Sequence, residues 1–474
     1  MKVLLTGSTG YIGRRLKQKL LQDENIILRL LVRNKKSITP NLERSVEICE
    51  GNSFDVESLK KALKDVEVAF YLIHSLNRKD YKNLDKTSAQ NFLDAAIFCG
   101  VKKIIYLGGL GVKNSDTSQH LLSRLETGEI LSSSDKIQTI WIRAGVIIGS
   151  GSASFEIIRN LTEKLPIMTT PKWVNTKTQP IAVFDVLNYL YSSIYLEEKG
   201  NITIDVGAEQ LTYKDMMLQT ATALGLKRYI IPLPFLSITL SSYWLNLFTP
   251  VSYGVAKALI EGLKSEATIQ NNNAIKYFPN IKPISYINSV KKAVDEIRNN
   301  QVVSRWSDRF GRVWDKDYTE EVAHAIYVDR RVEDISNLSH EKVYKSFISI
   351  GGEFGWFDYD FLWKTRGVID KMIGGVGLKR GRRDQLNLRI GDSLDFWKVI
   401  DVQENKRLLL LAQMKLPGNA WLEFKIDDNK LIQSAYFYPK GLLGRLYWYI
   451  LVPVHYFVFT NMIKSIIKKS KTLS

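Results

Sequence analysis

Short, continuously apolar runs alternate with longer amphipathic segments through the first part of the chain. Continuous apolar runs are typical of strands that are buried on both faces of a parallel sheet. The segments between them, such as Tyr11–Leu21, Val56–Leu63 and Leu84–Cys99, show helical periodicity. The pattern predicts an α/β fold, with helices on both sides of a parallel sheet. The predicted strands are Val3–Thr6, Ile26–Val32, Val46–Glu50, Val68–Ile73, Lys103–Leu107, Thr139–Arg143 and Ile202–Val206.

The pattern changes near Asn299 and Asn300, where strands begin to predominate and tryptophan becomes frequent: seven of the ten tryptophans lie beyond residue 300. Antiparallel strands with short turns, followed by one helix from about Leu442 to Lys468, predict an α+β domain. We therefore expect two domains, residues 1–300 and residues 301–474. The predicted strands of the second domain are Ala323–Val332, Leu386–Ile390, Asp395–Asp401, Lys406–Met414, Ala420–Ile426 and Leu431–Tyr438, with turns at 417–419 and 427–429.

Three glycines lie where the first predicted strand meets the first predicted helix. In that place a glycine triplet is typical of a Rossmann-type, doubly wound parallel sheet that binds a dinucleotide. Gly7 permits the tight turn, Gly10 lets the backbone approach the pyrophosphate, and Gly13 allows close packing of helix on strand. The helix N-terminus presents free N–H groups and a positive dipole end to the phosphates. The predicted cofactor-binding run is Thr6, Gly7, Ser8, Thr9, Gly10, Tyr11, Ile12 and Gly13.

The residue after the second predicted strand distinguishes NAD from NADP. An NAD site has an acidic side chain there that holds the ribose 2′-hydroxyl. Here the residue is Arg33, whose guanidinium can bind a 2′-phosphate through charge-assisted hydrogen bonds. A solvated basic turn is the alternative interpretation. The sequence therefore predicts NADP as the cofactor, with NADPH preferred over NADH.

Further segments with a recognisable pattern follow the glycine run, at residues 91–100, 104–107, 143–145, 179–186 and 206–209. Up to about residue 300 the chain resembles the atypical extended short-chain dehydrogenase/reductases, of the bacterial YbjT type. Residues 391–397, 417–421 and 439–444 are similar to the C-terminal domain of unknown function in such proteins, whose pattern resembles the polyketide-cyclase/START-like helix-grip fold. The resemblance implies an NAD(P)-binding Rossmann domain followed by a helix-grip-like α+β domain.

Strand ends face the cofactor crevice in such a fold. The resemblance therefore adds Asn52, Ser53, Ile73, His74 and Arg143 to the cofactor-binding candidates. For Arg143 two interpretations stay open, because its guanidinium can also bind substrate or pair with a neighbouring carboxylate.

The chain departs from this family at the catalytic positions. Hydride-transferring members use a Ser, a Tyr and a Lys, with the Tyr as general acid. The Tyr position here is His120 and the Lys position is Arg124, while the Ser position falls on Gly108 or Gly109. A histidine can move a proton near neutral pH, whereas arginine cannot act as a base.

Candidates for the missing proton donor are drawn from that helix and from the strand ends. We take His120, Arg124 and Tyr106 as catalytic candidates, with Tyr71 and His74 as further strand-end groups. A structural role for His120 is the alternative, because a lone histidine on a helix is more often structural.

Two functions are consistent with these residues. The first is an NADP(H)-dependent oxidoreductase or isomerase acting on a lipophilic small molecule, with very slow turnover of simple carbonyl compounds. The second is a non-catalytic NADP(H)-sensing or structural protein, like the NmrA-like regulators or a complex I accessory subunit. The aromatic side chains of the second domain are core residues that in a helix-grip fold could also line an apolar ligand cavity.

The formal net charge of +17, from 66 basic and 49 acidic residues, is spread along the chain. No zinc-finger or basic-region pattern accompanies it, so we expect no nucleic-acid binding. The densest cluster, Lys379–Arg383, is expected to be a solvated loop, with an anionic headgroup or phosphate site as the alternative. With only Cys49 and Cys99, and no signal-peptide pattern at the N-terminus, we expect no disulfide framework, no metal site and a cytoplasmic location.

Two uncharged apolar stretches, Tyr229–Ala256 and Leu446–Thr460, bear on membrane contact. Prolines interrupt both, and neither is an unbroken apolar run of about 20 residues, the length that a spanning helix needs. We expect both stretches to be buried. Peripheral contact with a membrane surface, at the inner face of the membrane, is the alternative.

Overall fold

The computed structural model describes residues 1–35, 38, 46–74, 81–113, 117–232, 262, 265–299, 301–304, 322, 325–352, 355–356, 360–373, 375–377, 382–384 and 387–472. These residues form two compact units, one reaching Ser304 and the other beginning at Val322. Each unit has a hydrophobic core of its own. The domain boundary at residue 300 stays a prediction.

A seven-stranded sheet in the order β3-β2-β1-β4-β5-β6-β11 forms the centre of the first unit. All six strand pairings in it are parallel. The strands are β1 (Lys2–Thr6), β2 (Ile27–Val32), β3 (Glu47–Glu50), β4 (Val68–Tyr71), β5 (Lys103–Gly109), β6 (Gln138–Ala144) and β11 (Ile202–Val206). The order reverses between β1 and β4, which confirms the predicted Rossmann-type doubly wound sheet.

Helices cover both faces of this sheet, which is why its strands are apolar throughout: all seven residues of β5 and all four of β4 are buried. Side-chain oxygens cap several of these helices at their first turn, as Asp55, Ser118 and Ser152 do. The helices are α1 (Tyr11–Leu21), α2 (Val56–Leu63), α3 (Tyr81–Phe98), α4 (Gln119–Leu131), α5 (Ala153–Lys164), α6 (Val183–Ser192), α7 (Tyr213–Ala223), α8 (Asn273–Tyr277) and α9 (Tyr286–Arg298).

Short strands outside the main sheet pair with one another in the rest of the first unit. They are β7 (Ile147–Ile148), β8 (Ile167–Thr170), β9 (Lys177–Thr178), β10 (Ile181–Ala182), β12 (Leu211–Thr212) and β13 (Tyr229–Pro232).

The second unit is a six-stranded antiparallel sheet in the order β14-β19-β18-β17-β16-β15. Its strands are β14 (Tyr327–Asp334), β15 (Ser393–Leu394), β16 (Trp397–Gln403), β17 (Arg407–Ala412), β18 (Gly418–Asp427) and β19 (Lys430–Pro439). Its helices are α10 (His340–Ile348), α11 (Asp360–Met372) and the long α12 (Gly441–Thr472). A mostly antiparallel sheet with a long helix confirms the α+β class.

Some details of the second unit differ from the prediction. The helices α10 and α11 were not predicted, and residues 387–390 form no strand. Gly418 begins β18 instead of lying in a turn. A Cβ on Gly418 would lie 2.4 Å from the Tyr438 carbonyl oxygen, so glycine allows β18 and β19 to pair closely. The turn at 427–429 is present and has Asp428 in a left-handed conformation.

The prediction that both uncharged apolar stretches are buried can be compared with the structure for only part of their residues. Residues 233–256 of the first lie outside the described residues. The second stretch lies in α12, and the expectation that it is buried is wrong for the outer face of that helix, where Leu446 and Ile450 are exposed. By length and composition alone α12 is long and apolar enough to cross a membrane.

The basic cluster Lys379–Arg383 is described only at its last two residues. Arg382 and Arg383 are buried, not solvated. Arg382 Nη1 donates to the Ile350 carbonyl oxygen at 2.7 Å, and Arg383 pairs with Asp392 at 3.2 Å. Burial lowers the pKa of Arg382 to about 10.

Candidate functional site

The loop between β1 and α1 has a geometry that only glycine permits. Gly7 lies in the left-handed region with φ +66°, and a Cβ there would lie 2.5 Å from the Leu72 carbonyl oxygen. A Cβ on Gly13 would lie 2.1 Å from the Gly7 carbonyl oxygen. Thr6 ties this loop to β4, because its hydroxyl donates to the Phe70 carbonyl oxygen at 2.8 Å and accepts from the Leu72 N–H at 3.1 Å.

The N-terminus of α1 is open for an anion. Its N-cap is Gly10, which offers no side-chain acceptor, and its first turn has no acidic residue. The Ser8 hydroxyl is buried with no hydrogen-bond partner among the residues that the structure describes. Unpaired N–H groups, a positive helix end and an unsatisfied hydroxyl fit a pyrophosphate. The residues present therefore fit a bound dinucleotide.

Most other cofactor candidates lie at the same edge of the sheet. Ile73 and His74 follow β4 across the point where the strand order reverses, and Arg33 follows β2. Asn52 and Ser53 follow β3, where the Asn52 side chain accepts from the Phe54 N–H at 3.2 Å. Since parallel strands end at one edge, the fold brings these residues to the crevice where open α/β sheets bind ligands.

The surroundings of Arg33 include a carboxylate that the sequence did not point to. Arg33 is exposed at the end of β2. Glu50 ends the neighbouring strand β3 in register with Val32, and its side chain accepts from the Lys35 N–H at 3.4 Å. A guanidinium and a carboxylate thus both stand at the edge where a ribose 2′-substituent would bind.

A chain of hydrogen bonds joins two histidines to a buried aspartate beside this crevice. His74 Nδ1 lies 2.7 Å from Asp85 Oδ2. His74 Nε2 lies 3.0 Å from His120 Nδ1. The Ser123 hydroxyl also donates to Asp85 Oδ2, at 3.0 Å. The end of β4 positions His74, α3 positions Asp85, and α4 positions His120 and Ser123.

With Asp85 ionised and both imidazoles neutral, one arrangement of protons satisfies these contacts. An ionised Asp85 only accepts, so His74 donates its Nδ1–H to it and keeps Nε2 as an acceptor. His120 then donates its Nδ1–H to His74, and the second ring nitrogen of His120 is Nε2. Asp85, whose side chain is only 4% exposed, holds the ring of His74 through this 2.7 Å contact.

Tyr71 ends β4, whereas Tyr106 lies in the middle of β5 and not at a strand end as predicted, and both have other hydrogen bonds. Tyr71 shares a hydrogen bond of 2.8 Å with Ser88, and the Tyr106 hydroxyl donates to the Arg124 carbonyl oxygen at 3.0 Å. Both rings are buried, and burial raises both pKa values above the usual range of a tyrosine. The structure thus holds these hydroxyls protonated and inside the fold.

Gly108 and Gly109, the two positions that the resemblance offers for the family's serine, are both closely packed. A Cβ on Gly108 would lie 2.4 Å from Trp141 Nε1, so a serine there would require this buried ring to move. Arg124, at the position expected for the lysine, packs beside Gly109, where a Cβ would lie 3.6 Å from the Arg124 Cδ. Trp141 and Leu121 thus occupy the space that a side chain at Gly108 or Gly109 would need.

Arg143 forms a two-pronged ion pair. Its Nε and Nη2 donate to the two carboxylate oxygens of Asp205 at 2.6 and 2.9 Å. Asp205 is fully buried on the adjacent strand β11 and also accepts from the Gln270 N–H. Of the two interpretations of Arg143, the structure shows the pairing with a carboxylate.

Asp85 and Ser123 are site residues that the sequence reasoning missed. Neither belongs to a motif, and each reaches His74 or its partner only through the folded contact between α3 and α4. No signal in the sequence alone pointed to them.

Two family models match separate parts of the chain. Residues 7–141 match a family described as NAD(P)H-binding, a range that includes the glycine loop and both histidines of the hydrogen-bond chain. The first unit is an NAD(P)-binding Rossmann domain. Residues 322–462 match a family described as a protein of unknown function (DUF2867). That description names no activity, and the START-like resemblance stays a prediction.

Two curated proteins are similar to this chain. Ceramide reductase of Caulobacter vibrioides is 24% identical over 265 residues, which cover 54% of this chain and 82% of that protein. Auxiliary protein GraX of Staphylococcus aureus is 30% identical over 115 residues, which cover 23% of this chain and 36% of that protein.

Solved structures share the fold of the first unit. A nucleoside-diphosphate-sugar epimerase from Staphylococcus aureus has a TM-score of 0.51 at 16% identity, covering 61% of this chain and all of that one. Triphenylmethane reductase from Citrobacter sp., complexed with NADP(H), has a TM-score of 0.50 at 20% identity, covering 61% of this chain and 99% of that one. Together with the family match they support a Rossmann-type fold and a nicotinamide cofactor.

Proposed function

We propose that the first unit is an NADP(H)-dependent oxidoreductase that reduces a lipophilic carbonyl compound, with His120 in place of the family's tyrosine. The observation that carries this proposal is the chain from Asp85 through His74 to His120. A buried carboxylate that is hydrogen-bonded through one imidazole to a second suits a proton donor, and a purely structural histidine does not need this arrangement.

The chain's own groups would hold the cofactor. The N–H groups at the start of α1 and the Ser8 hydroxyl would bind the pyrophosphate, and Arg33 would bind a 2′-phosphate. Asn52 and Ser53 lie at the strand end beyond Arg33, and Ile73 and His74 lie on the opposite side of the glycine loop. When bound, the reduced nicotinamide supplies a hydride.

Reduction of a carbonyl also needs a proton on its oxygen. Protonated His120 would give that proton from Nε2, while its Nδ1–H stays hydrogen-bonded to His74. Asp85 would stabilise the positive charge through His74, and Ser123 would hold Asp85 in place. The carbonyl carbon takes up the hydride and the carbonyl oxygen takes up the proton, which gives the alcohol. Solvent then returns a proton to His120.

The lipophilic substrate class draws on the sequence relatives. The ceramide reductase that is 24% identical to this chain acts, by its name, on a lipid. A long-chain carbonyl compound is therefore our proposed substrate, and a cytoplasmic location our proposed compartment.

The test is NADPH oxidation with a long-chain ketone, 2-tridecanone in detergent micelles, beside the short ketone 2-butanone. We expect turnover of the long ketone only. His120→Ala should lower kcat by about a hundredfold or more, the usual worth of a general acid, with the Kd for NADPH unchanged. His74→Ala should lower kcat less and shift the pH profile, because His74 acts through His120. The control is His340→Ala, an exposed histidine of the second unit.

Turnover of a long-chain carbonyl compound that is equal in wild type and His120→Ala contradicts the proposal. NADPH binding without turnover of any long-chain ketone or aldehyde would favour the sensing or structural alternative instead.

A further inference from the structure

The outer face of α12 is apolar over its first half and basic over its last turns. Residues three or four apart lie on one face of a helix. On this face Leu442 is 82% exposed and Ile450 is 64% exposed. The exposed apolar side chains on it are Leu442, Leu446, Tyr449, Ile450, Pro453 and Phe457. Further along the same face follow the exposed Lys464, Lys468 and Lys471.

The opposite face of α12 packs on the sheet along the length of the helix. Near its start, Trp448 stacks on Tyr327 and Phe437, with ring centroids 5.4 and 5.7 Å apart. Near its end, Met462 and Ile466 are buried in the core of the second unit. The helix is therefore anchored on one side, and its exposed apolar face is a stable surface.

A second exposed apolar surface adjoins the start of α12. At the C-terminal end of α11, Val368, Ile369 and Met372 are exposed, and so is Ile373, which follows the helix. The segment 415–417 joins the two: Lys415 Nζ donates to the Ile373 carbonyl oxygen at 2.7 Å, and the Lys440 N–H donates to the Pro417 carbonyl oxygen at 2.9 Å. Scattered single apolar residues need no explanation, whereas a contiguous patch marks an interaction site.

The charge on this surface indicates what covers it. Residues 441–472 contain Arg445, Lys464, Lys468, Lys469 and Lys471 and no acidic residue. Apolar and aromatic side chains flanked by lysines are typical of helices that lie in the interface of an anionic membrane. A protein partner would need a matching acidic and apolar surface, which a bilayer with anionic lipid provides without any specific geometry.

We propose that the outer face of α12, continued by α11, binds the surface of a bilayer that contains anionic lipids, with the helix lying in the interface. The exposed apolar stretch from Leu442 to Phe457 rises only about 24 Å. That is shorter than the hydrocarbon core of about 30 Å, and one face of the helix is already occupied by the sheet. The helix therefore lies on the bilayer and does not cross it.

The test is flotation of the full chain with vesicles of phosphatidylcholine alone and of phosphatidylcholine with a quarter of phosphatidylglycerol. We expect about tenfold tighter binding to the anionic vesicles at 0.1 M NaCl and loss of most of that difference at 0.5 M NaCl. Ile450→Glu should weaken binding about tenfold. Its matched control is Ile275→Glu, a similarly exposed isoleucine on α8 of the first unit.

The lysines are tested separately from the apolar face. Lys464→Gln/Lys468→Gln/Lys471→Gln should remove the preference for anionic vesicles, while Lys61→Gln/Lys64→Gln/Lys227→Gln, three exposed lysines of the first unit, should keep it. Circular dichroism checks that each variant is folded, and no cofactor is needed, so the result is independent of the proposed reductase activity.

Three results overturn this proposal. One is a lack of binding to either kind of vesicle. Another is binding that neither salt nor the lysine changes weaken, which a spanning helix would show. The third is a dimer in light scattering that Ile450→Glu converts to a monomer without any effect of vesicles, because a second copy would then cover the surface.

Discussion

At the end of β2, Arg33 stands where an NAD-binding domain has an acidic side chain. A charge-assisted pair with a 2′-phosphate is worth more than an ordinary hydrogen bond. We therefore expect NADPH to bind more tightly than NADH. Arg33→Asp should weaken NADPH binding about ten- to a hundredfold and leave NADH binding nearly unchanged. Titration by nicotinamide fluorescence measures both dissociation constants.

The control for that experiment is Glu50→Gln, which removes the neighbouring carboxylate. If Glu50 holds the 2′-hydroxyl of NADH, the control will weaken NADH binding and Arg33→Asp will have little effect. Equal affinities of the wild-type protein for the two cofactors would also contradict the prediction.

A second prediction at this scale concerns Asp395, a buried carboxyl group in the second unit. Burial raises its pKa to about 6, although the Trp356 Nε1–H and the Gly352 N–H donate to it. The folded state therefore binds this proton more tightly than the unfolded state does, and the free energy of unfolding falls as pH rises from about 4 to about 6.

Asp395→Asn should abolish that fall and stabilise the second unit by about 2 kcal/mol at pH 7. The amide oxygen can accept the same hydrogen bonds, and asparagine tolerates the left-handed backbone at this position, where φ is +52°. Urea unfolding followed by tryptophan emission from pH 4 to 7 measures the effect. A variant that is less stable than wild type at pH 7 would show that the ionised carboxylate is needed.

At the scale of the element, the shape of the β1–α1 junction requires the first turn of α1 to pack directly against the glycine loop. The 2.1 Å between a Cβ on Gly13 and the Gly7 carbonyl oxygen leaves no room for an alanine. Gly13→Ala should push α1 away from the loop and weaken NADPH binding about tenfold or more. Gln18→Ala, at an exposed position of the same helix, is the control and should bind NADPH as the wild type does. Unchanged binding by Gly13→Ala would place the pyrophosphate elsewhere.

The prediction of helices and strands from sequence succeeded where several local signals agreed. The bounds of α1 and α2 were predicted to the residue, because periodicity, a strand before each helix and, for α2, the Asp55 cap agree. It failed for α10 and α11, whose apolar residues pack beneath a sheet that is assembled from distant segments. For α11 several apolar residues even face outward.

At the scale of the whole molecule, each unit has a core of its own, so we expect two unfolding transitions. Since the residues that fit the cofactor all lie in the first unit, NADPH at 100 times its Kd should stabilise one transition by about 2.7 kcal/mol and leave the other unchanged. Scanning calorimetry with and without NADPH measures this. A shift of both transitions would show that the units are energetically coupled.

The sequence by itself determined the α/β and α+β classes and the glycine loop. These depend on local pattern and on spacing within single elements. Only the tertiary structure decided that His120 is joined to His74 and Asp85, and that Arg143 is paired with Asp205. It also decided which face of α12 is packed and which is exposed. Each of these features depends on contacts between residues that are far apart in the chain. Periodicity and composition do not determine which distant residues come into contact.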